Sequence, residues 1–393
     1  MRIMIATQTY SSGNGQASFA IHLAEGLAKL GHQVMVVTSS ERMQSYSVSV
    51  NGVQVEKVAA LPLPILHPAL YLTLLSARKA KELFAKFQPE IVHIQDHYFL
   101  SNSILKEALR TKVPVVGTNH FLPENILPFL RSFPTLQGLV ARPLWKMMLA
   151  VFNRLEVATA PSETAVEILR RQKIRVPVYA ISNGVDIQRF RPDPVVDRTG
   201  VRQKYSIAPD RTVFLYVGRI DGEKRLDVLL QAASHLARDD FQVAIVGFGL
   251  QEKALRRQAQ TLGLDGHVSF VGYVPSDDLP ALYNSADIFV MPSPQELQSI
   301  ATLEALACGK PVLAADARAL PELVKPEVKG YLFRAGDSAN AASWMQKMLD
   351  SRDQWPMMGQ SGVEGIQRHS LEKSIQRYEQ LYKSVLENRN KAA

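Results

Sequence analysis

The chain has 393 residues, 46% apolar and 21% charged, a globular composition that excludes a disordered chain and, by length, predicts two domains. Its one cysteine, Cys308, excludes an intrachain disulfide and a cysteine-rich metal site, and points to a reducing cytoplasm. All of the +8 net charge falls in residues 1–185, where 19 Lys and Arg face 11 Asp and Glu, which suits an anionic membrane, an anionic substrate or nucleic acid.

The chain opens as strand, glycine turn, helix and strand. Residues 3–6 are apolar but become polar by Thr7, too short a run for a signal peptide. Gly13 and Gly15 break the strand, and Phe19, Leu23, Leu27 and Leu30 recur at helical spacing up to Gly31. Residues 33–38 form the next strand. Residues 58–77 lack any charged side chain and are long enough to cross a bilayer, but Pro62, Pro64 and Pro68 argue instead for an extended lead-in and a helix from Ala69. Strands follow at 91–94, 113–117, 158–160 and 178–181, with helices at 69–87 and 100–110. Strands alternating with helices predict a parallel sheet covered on both faces.

The pattern then restarts. Residues 182–194 read as a hinge; a strand at 212–217 leads into a helix at 225–237, and strands follow at 242–246, 268–271, 288–291 and 311–314. The expected organisation is 1–185, 186–370 and a tail, 371–393. In that tail Leu371, Ile375, Tyr378, Tyr382, Val385 and Leu386 share one helical face, which must be buried, in the simplest case on the second domain.

Both halves begin like dinucleotide-binding units, yet Gly13 and Gly15 are followed by Ser18, not a third glycine. The second strand ends in Thr38 and Ser39 without an acid for a ribose, and Gly247 and Gly249 run on into Glu252. Nicotinamide chemistry is therefore disfavoured. The densest polar cluster is 294–305, where Glu296 and Glu304, eight residues apart, flank a small-residue turn that opens a helix. The N-terminus of that helix offers free amides and positive potential to a phosphate. Glu304, about two turns in, and Glu296 can accept from sugar hydroxyls. Taken alone, both could be solvated surface carboxylates. Arg219 and Lys224 follow a buried strand at a sheet's carboxyl edge and, five residues apart across a turn, can converge on one diphosphate. Lys224 could also be a plain solvated cation.

These motifs, with Asn183, Gly184, Val185, Asp186, Phe190 and Pro192, and with Gly272 and Tyr273, resemble glycosyltransferase family 4 in order and spacing through most of the chain. The resemblance implies the α/β GT-B fold: two Rossmann-like parallel-sheet domains facing a cleft, with the C-terminal helix crossing back to the first. It also implies that Arg219 and Lys224 hold the donor diphosphate, Glu304 the ribose and Glu296 the transferred sugar. Ser299 and Ile300 would approach the sugar phosphate, and backbone at Tyr273 and Val274 the base. Gly15 would lie near the diphosphate and His120 near the reacting sugar. A lone histidine after a strand can equally be structural. Ser299 departs from a frequent glycine, and Asn14 separates two glycines that are often adjacent. The implied reaction retains anomeric configuration by front-face attack. No cofactor is expected, and without an Asp-x-Asp sequence no metal clamp is indicated.

The acceptor is expected on the basic first half. Residues 121–131 are apolar and aromatic, and 144–154 carry Trp145, Met147, Met148 and Phe152 with Lys146 and Arg154. Such a helix suits an anionic membrane interface, or a core position with a solvated edge. Residues 118–125 are similar to diacylglycerol glucosyltransferases of the family. The expectation is a cytoplasmic enzyme, peripheral on the inner membrane face, that moves a hexose from UDP-glucose to a lipid such as diacylglycerol. The alternatives are a soluble transferase acting on a sugar or small metabolite, and a nucleotide-sugar epimerase or binding module on the same fold. Nucleic acid is disfavoured, since no dense Lys/Arg run with interleaved aromatics occurs.

Overall fold

The computed structural model describes residues 1–10, 15–62, 71–74, 76–122 and 134–392. The chain divides into two compact units, 1–183 with 372–393, and 184–371.

The first unit is built on ten strands: β1 (Arg2–Thr7), β2 (Gln33–Ser39), β3 (Tyr46–Val50), β4 (Val53–Val58), β5 (Ala60–Pro62), β6 (Tyr71–Thr73), β7 (Ile91–Ile94), β8 (Val115–Thr118), β9 (Val157–Ala160) and β10 (Val178–Ala180). Eight of them form one sheet in the order β10-β9-β8-β7-β1-β2-β4-β3. Its centre is buried on both faces, which is why β1, β2 and β7 read as continuous apolar runs. The sheet is parallel except at its edge, where β3 pairs antiparallel with β4, a hairpin that helical and strand periodicity did not announce.

The uncharged stretch 58–77 does not form one helix. It ends β4, pairs β5 with β6 antiparallel, and enters the helix Ser76–Phe87 later than residue 69. Residues 71–73 are taken by the pairing with β5, so the helix cannot begin until β6 has ended. Among the described residues no helix is long and apolar enough to cross a membrane. Gly13, Asn14 and most of the apolar stretch 121–131 lie outside the described residues.

The second unit carries β11 (Thr212–Val217), β12 (Phe241–Val246), β13 (Val268–Gly272), β14 (Ile288–Met291), β15 (Val312–Asp316) and β16 (Gly330–Arg334). They form a wholly parallel sheet in the order β13-β12-β11-β14-β15-β16. Strand order reverses between β11 and β14 here, and between β1 and β7 in the first unit. Crevices outside the carboxyl ends of strands open at such switch points.

The tail forms the helix Leu371–Ala392, and residues 372–393 belong to the first unit. Ile375, Tyr378, Tyr382 and Val385 are buried. A Cβ at Gly26, in the helix Gly15–Lys29, would sit 2.1 Å from Ile375 Cδ1, so glycine there lets the two helices touch.

Candidate active site

The second unit brings Arg219, Asp221, Glu223, Lys224 and Glu296 together at the switch point. β11 is followed by Gly218, and the turn behind it passes through a 3₁₀ segment, 222–224. Fully buried Tyr216 donates to the Arg219 carbonyl at 2.7 Å and fixes the turn from below. Gly247, at φ +125°, closes the loop after β12, and a Cβ there would lie 1.9 Å from the Gly218 carbonyl oxygen. The glycine pair 247/249, an incomplete dinucleotide turn by sequence, thus lets two loops meet. Ile220 N donates to Phe248 O and Gln251 N to Ile220 O, both at 2.9 Å.

On this frame Arg219 donates to Asp221 and to Glu223, each at 2.5 Å. Glu223 is also 3.8 Å from Lys224 Nζ, and Lys224 donates to Glu296 Oε1 at 2.6 Å. The two cations are therefore neighbours through one carboxylate. Lys224 is only 18% exposed at its side chain, so it is not a solvated cation. Burial opposes ionisation of Glu296, but the Lys224 ammonium, Ser293 and Arg219 outweigh it and hold the carboxyl below its usual range.

Ser299 caps the helix Ile300–Ala307, accepting from Thr302 N at 3.2 Å and from the Thr302 hydroxyl at 2.8 Å. A serine here therefore occupies the third helical amide with its own oxygen. The amides of Ile300 and Ala301 have no acceptor within the helix. Glu304 sits one turn in, not two, because the helix begins only at Ile300. It accepts from the Tyr283 hydroxyl at 2.8 Å, and burial pushes its carboxyl up to about 7. Val274 is buried, whereas Tyr273 is 68% exposed beside Gly272, whose carbonyl accepts from Gly247 N at 2.8 Å.

The first unit has its own polar cluster at the carboxyl edge. Gly15 is exposed at the start of its helix. His120 follows β8, with Nε2 2.8 Å from Gln95 Oε1 and its ring 4.8 Å from that of Phe19. Burial pushes its imidazole down to about 3, so it is neutral at physiological pH. Gln95 follows β7 and lies beside His93, which shares hydrogen bonds with the Tyr382 hydroxyl at 2.6 Å and Thr118 Oγ1 at 2.7 Å. Next to it the buried Asp96 carboxylate accepts from Gln8 N at 2.6 Å and Tyr98 N at 3.1 Å, and burial nonetheless raises its pKa. Sequence reasoning did not single out His93, Gln95 or Asp96. The available signal was a histidine inside the fully buried strand β7, followed at once by polar residues. Among the described residues no group of three or more His, Cys, Asp or Glu is placed to hold a metal.

The arrangement in the second unit, two cations and a helix N-terminus beside two partly buried carboxylates, can bind a diphosphate and polyol hydroxyls together. The profile of Glycosyltransferase Family 4 matches residues 13–189, and that of Glycosyl transferases group 1 matches residues 197–364. A D-inositol 3-phosphate glycosyltransferase of Nocardia farcinica is 30% identical over 372 residues, 89% of this chain and 80% of that protein. The chain belongs to glycosyltransferase family 4. It is a glycosyltransferase that takes its sugar from a nucleotide sugar. An alpha-monoglucosyldiacylglycerol synthase of Streptococcus pneumoniae is 26% identical over 361 residues, 90% of this chain and 79% of that one. Among solved structures, a sucrose-phosphate synthase from Thermosynechococcus elongatus superposes with a TM-score of 0.82 at 21% identity, covering 98% of this chain and 99% of that chain. This likeness, with the two parallel sheets, shows the GT-B fold of the family-4 enzyme.

Proposed function

We propose that this glycosyltransferase is a metal-independent retaining enzyme that moves glucose from UDP-glucose to a hydroxyl of a membrane lipid such as diacylglycerol. The observation that carries the donor half is the chain Arg219–Glu223–Lys224–Glu296 at the switch point of the second sheet. A diphosphate entering there displaces Asp221 and Glu223 from Arg219 and draws Lys224 toward itself. Its remaining oxygens meet the amides of Ile300 and Ala301. Glu304 accepts from the ribose diol, Glu296 from the sugar, and backbone at Tyr273 and Val274 meets the base. Gly15 and His120 contribute from the first unit, His120 to the transferring sugar.

In the reaction the bond from the anomeric carbon to the β-phosphate oxygen breaks. The acceptor oxygen bonds to that carbon on the same face, and the acceptor proton passes to the departing phosphate oxygen. Negative charge grows on the leaving diphosphate, so fixed cations and amides there stabilise the transition state more than the ground state.

The lipid half is supported by the helix Pro134–Phe152. It buries Trp145, Met148, Val151 and Phe152 and exposes Arg142, Lys146 and Met147. That apolar face is taken up by the core of the first unit, the core position with a solvated edge that the sequence also allowed. What supports peripheral contact with an anionic membrane on the cytoplasmic side is therefore the outward pair of cations beside Met147. The likeness to the monoglucosyldiacylglycerol synthase supports the same acceptor and a glucosyl donor. A second reading, transfer to a soluble polyol phosphate, draws on the higher identity to the inositol-phosphate enzyme. The test is to offer UDP-glucose, UDP-galactose and GDP-mannose with diacylglycerol in anionic vesicles, or with inositol phosphate in buffer, and detect product by mass. Glucosyl-diacylglycerol from UDP-glucose supports the reading. Product formed only in vesicle-free buffer supports the second.

A further inference from the structure

The neutral His120 can carry its one ring proton on either nitrogen, and the two forms present opposite chemistry to a substrate hydroxyl. Its Nε2 lies 2.8 Å from Gln95 Oε1. An amide oxygen only accepts, so that nitrogen must carry the proton. The orientation of the Gln95 amide is set at its other end. Gln95 Nε2 is 3.3 Å from both ring nitrogens of His93, whose in-plane positions are engaged by Tyr382 and Thr118. The amide nitrogen therefore meets the face of the His93 ring, which attracts an N–H and repels a carbonyl oxygen. Thr118 Oγ1 is bonded in turn to Thr159 Oγ1 at 2.6 Å. The Gln95 backbone is held on both sides, its N donating to Ala6 O at 2.9 Å and its O accepting from Gln16 Nε2 at 3.1 Å. The residue is 1% exposed.

We infer that Gln95 is a positioning residue that locks His120 as the Nε2–H tautomer, leaving Nδ1 to accept a hydrogen bond from a hydroxyl of the transferring sugar. The inference rests on the role assigned above to His120, and it extends that role to a rigid relay from Tyr382 through His93 and Gln95. Burial holds His93 neutral as well, at about 3, so neither imidazole places a charge beside the other.

Nitrogen NMR of histidine-labelled full-length protein tests the tautomer directly, with the His120 signals assigned from their loss in His120→Asn. The expected signature is a protonated Nε2 and an unprotonated Nδ1, and the reverse overturns the inference. In parallel, UDP release from UDP-glucose is measured with bacterial lipid extract as acceptor source. Gln95→Leu is expected to lower kcat roughly 10- to 100-fold with donor KM within about twofold, the scale of a misplaced catalytic contact. Gln95→Glu still accepts from Nε2, but it has no N–H for the His93 face and its charge favours a His120 protonated on both nitrogens, so it is expected to recover little of that loss. Wild-type kcat in Gln95→Leu, with His120→Asn inactive, overturns the inference alone. Wild-type turnover in His120→Asn overturns the His120 assignment as well.

Discussion

Lys224 Nζ and Glu296 Oε1 lie 2.6 Å apart, joining the turn after β11 to the loop after β14, with both side chains largely withdrawn from water. A buried pair of this kind is costly to break on one side only, because the survivor keeps its charge without a partner. Lys224→Ala is therefore expected to fold but to lose about 3 kcal/mol of stability, alongside a fall in transfer of more than roughly 100-fold. Lys224→Met combined with Glu296→Gln should recover most of the stability and none of the activity. Urea melts and turnover on the same preparations separate the two effects.

Glu304 makes stability depend on pH. Its carboxyl is raised by burial from an ordinary 4.5 to about 7, so the folded state holds a proton that the unfolded chain releases. The stabilisation is complete below the ordinary value and is lost as pH rises through about 7. Glu304→Gln keeps a neutral acceptor for Tyr283 and escapes that loss. Because the Glu304 side chain keeps some contact with solvent, the gain at pH 8.5 is expected at about 1–2 kcal/mol, with little gain at pH 4.5. Melting curves of both proteins across that range check it. Transfer should nevertheless be lost in Glu304→Gln if the carboxylate receives the ribose diol.

Gly247 is the point where two loops touch. A methyl group there meets a backbone oxygen at 1.9 Å and imposes a left-handed φ on an alanine. Gly247→Ala should cost more than about 3 kcal/mol and abolish donor binding with it, whereas Gly263→Ala, at φ +67° with open space around it, should cost about 1 kcal/mol. Thermal melts and calorimetric titration with UDP decide this.

Arg142 and Lys146 are exposed on the helix Pro134–Phe152 and form no ion pair among the described residues. Reversing both to Glu should leave stability within about 0.5 kcal/mol. Sedimentation with anionic vesicles at low salt should fall more than about 30-fold, on a scale of roughly 1 kcal/mol per cation near the surface. Unchanged sedimentation would remove this helix from the membrane reading.

Much of the second unit was legible because its signals are local. Arg219, Glu223 and Lys224 are adjacent in sequence, and Glu296 and Glu304 mark one turn and its helix. The first unit was harder. His93 and Gln95 acquire meaning only through Tyr382 and Thr118, and Tyr382 lies 289 residues from His93. No periodicity within a window reports such a pairing. The helix at Ser76 was placed too early because residues 71–73 pair with 60–62 as a short antiparallel ladder, a contact that helical periodicity after Pro68 does not report. Ser299 looked like a lost glycine. In the structure its hydroxyl does the work of an N-cap, which the local pattern of Ser299 before an apolar helix could have revealed.

Tyr378 and Tyr382 fill the middle of the first unit, yet the chain makes them only after all of the second unit has been synthesised. On a ribosome the first sheet must therefore wait with a hole in its heart, its His93 and Thr118 wet, until the final stretch emerges. A chain shortened before Leu371 would leave the apolar surface that covers Ile375, Tyr378, Tyr382 and Val385 open to water, a form prone to aggregate.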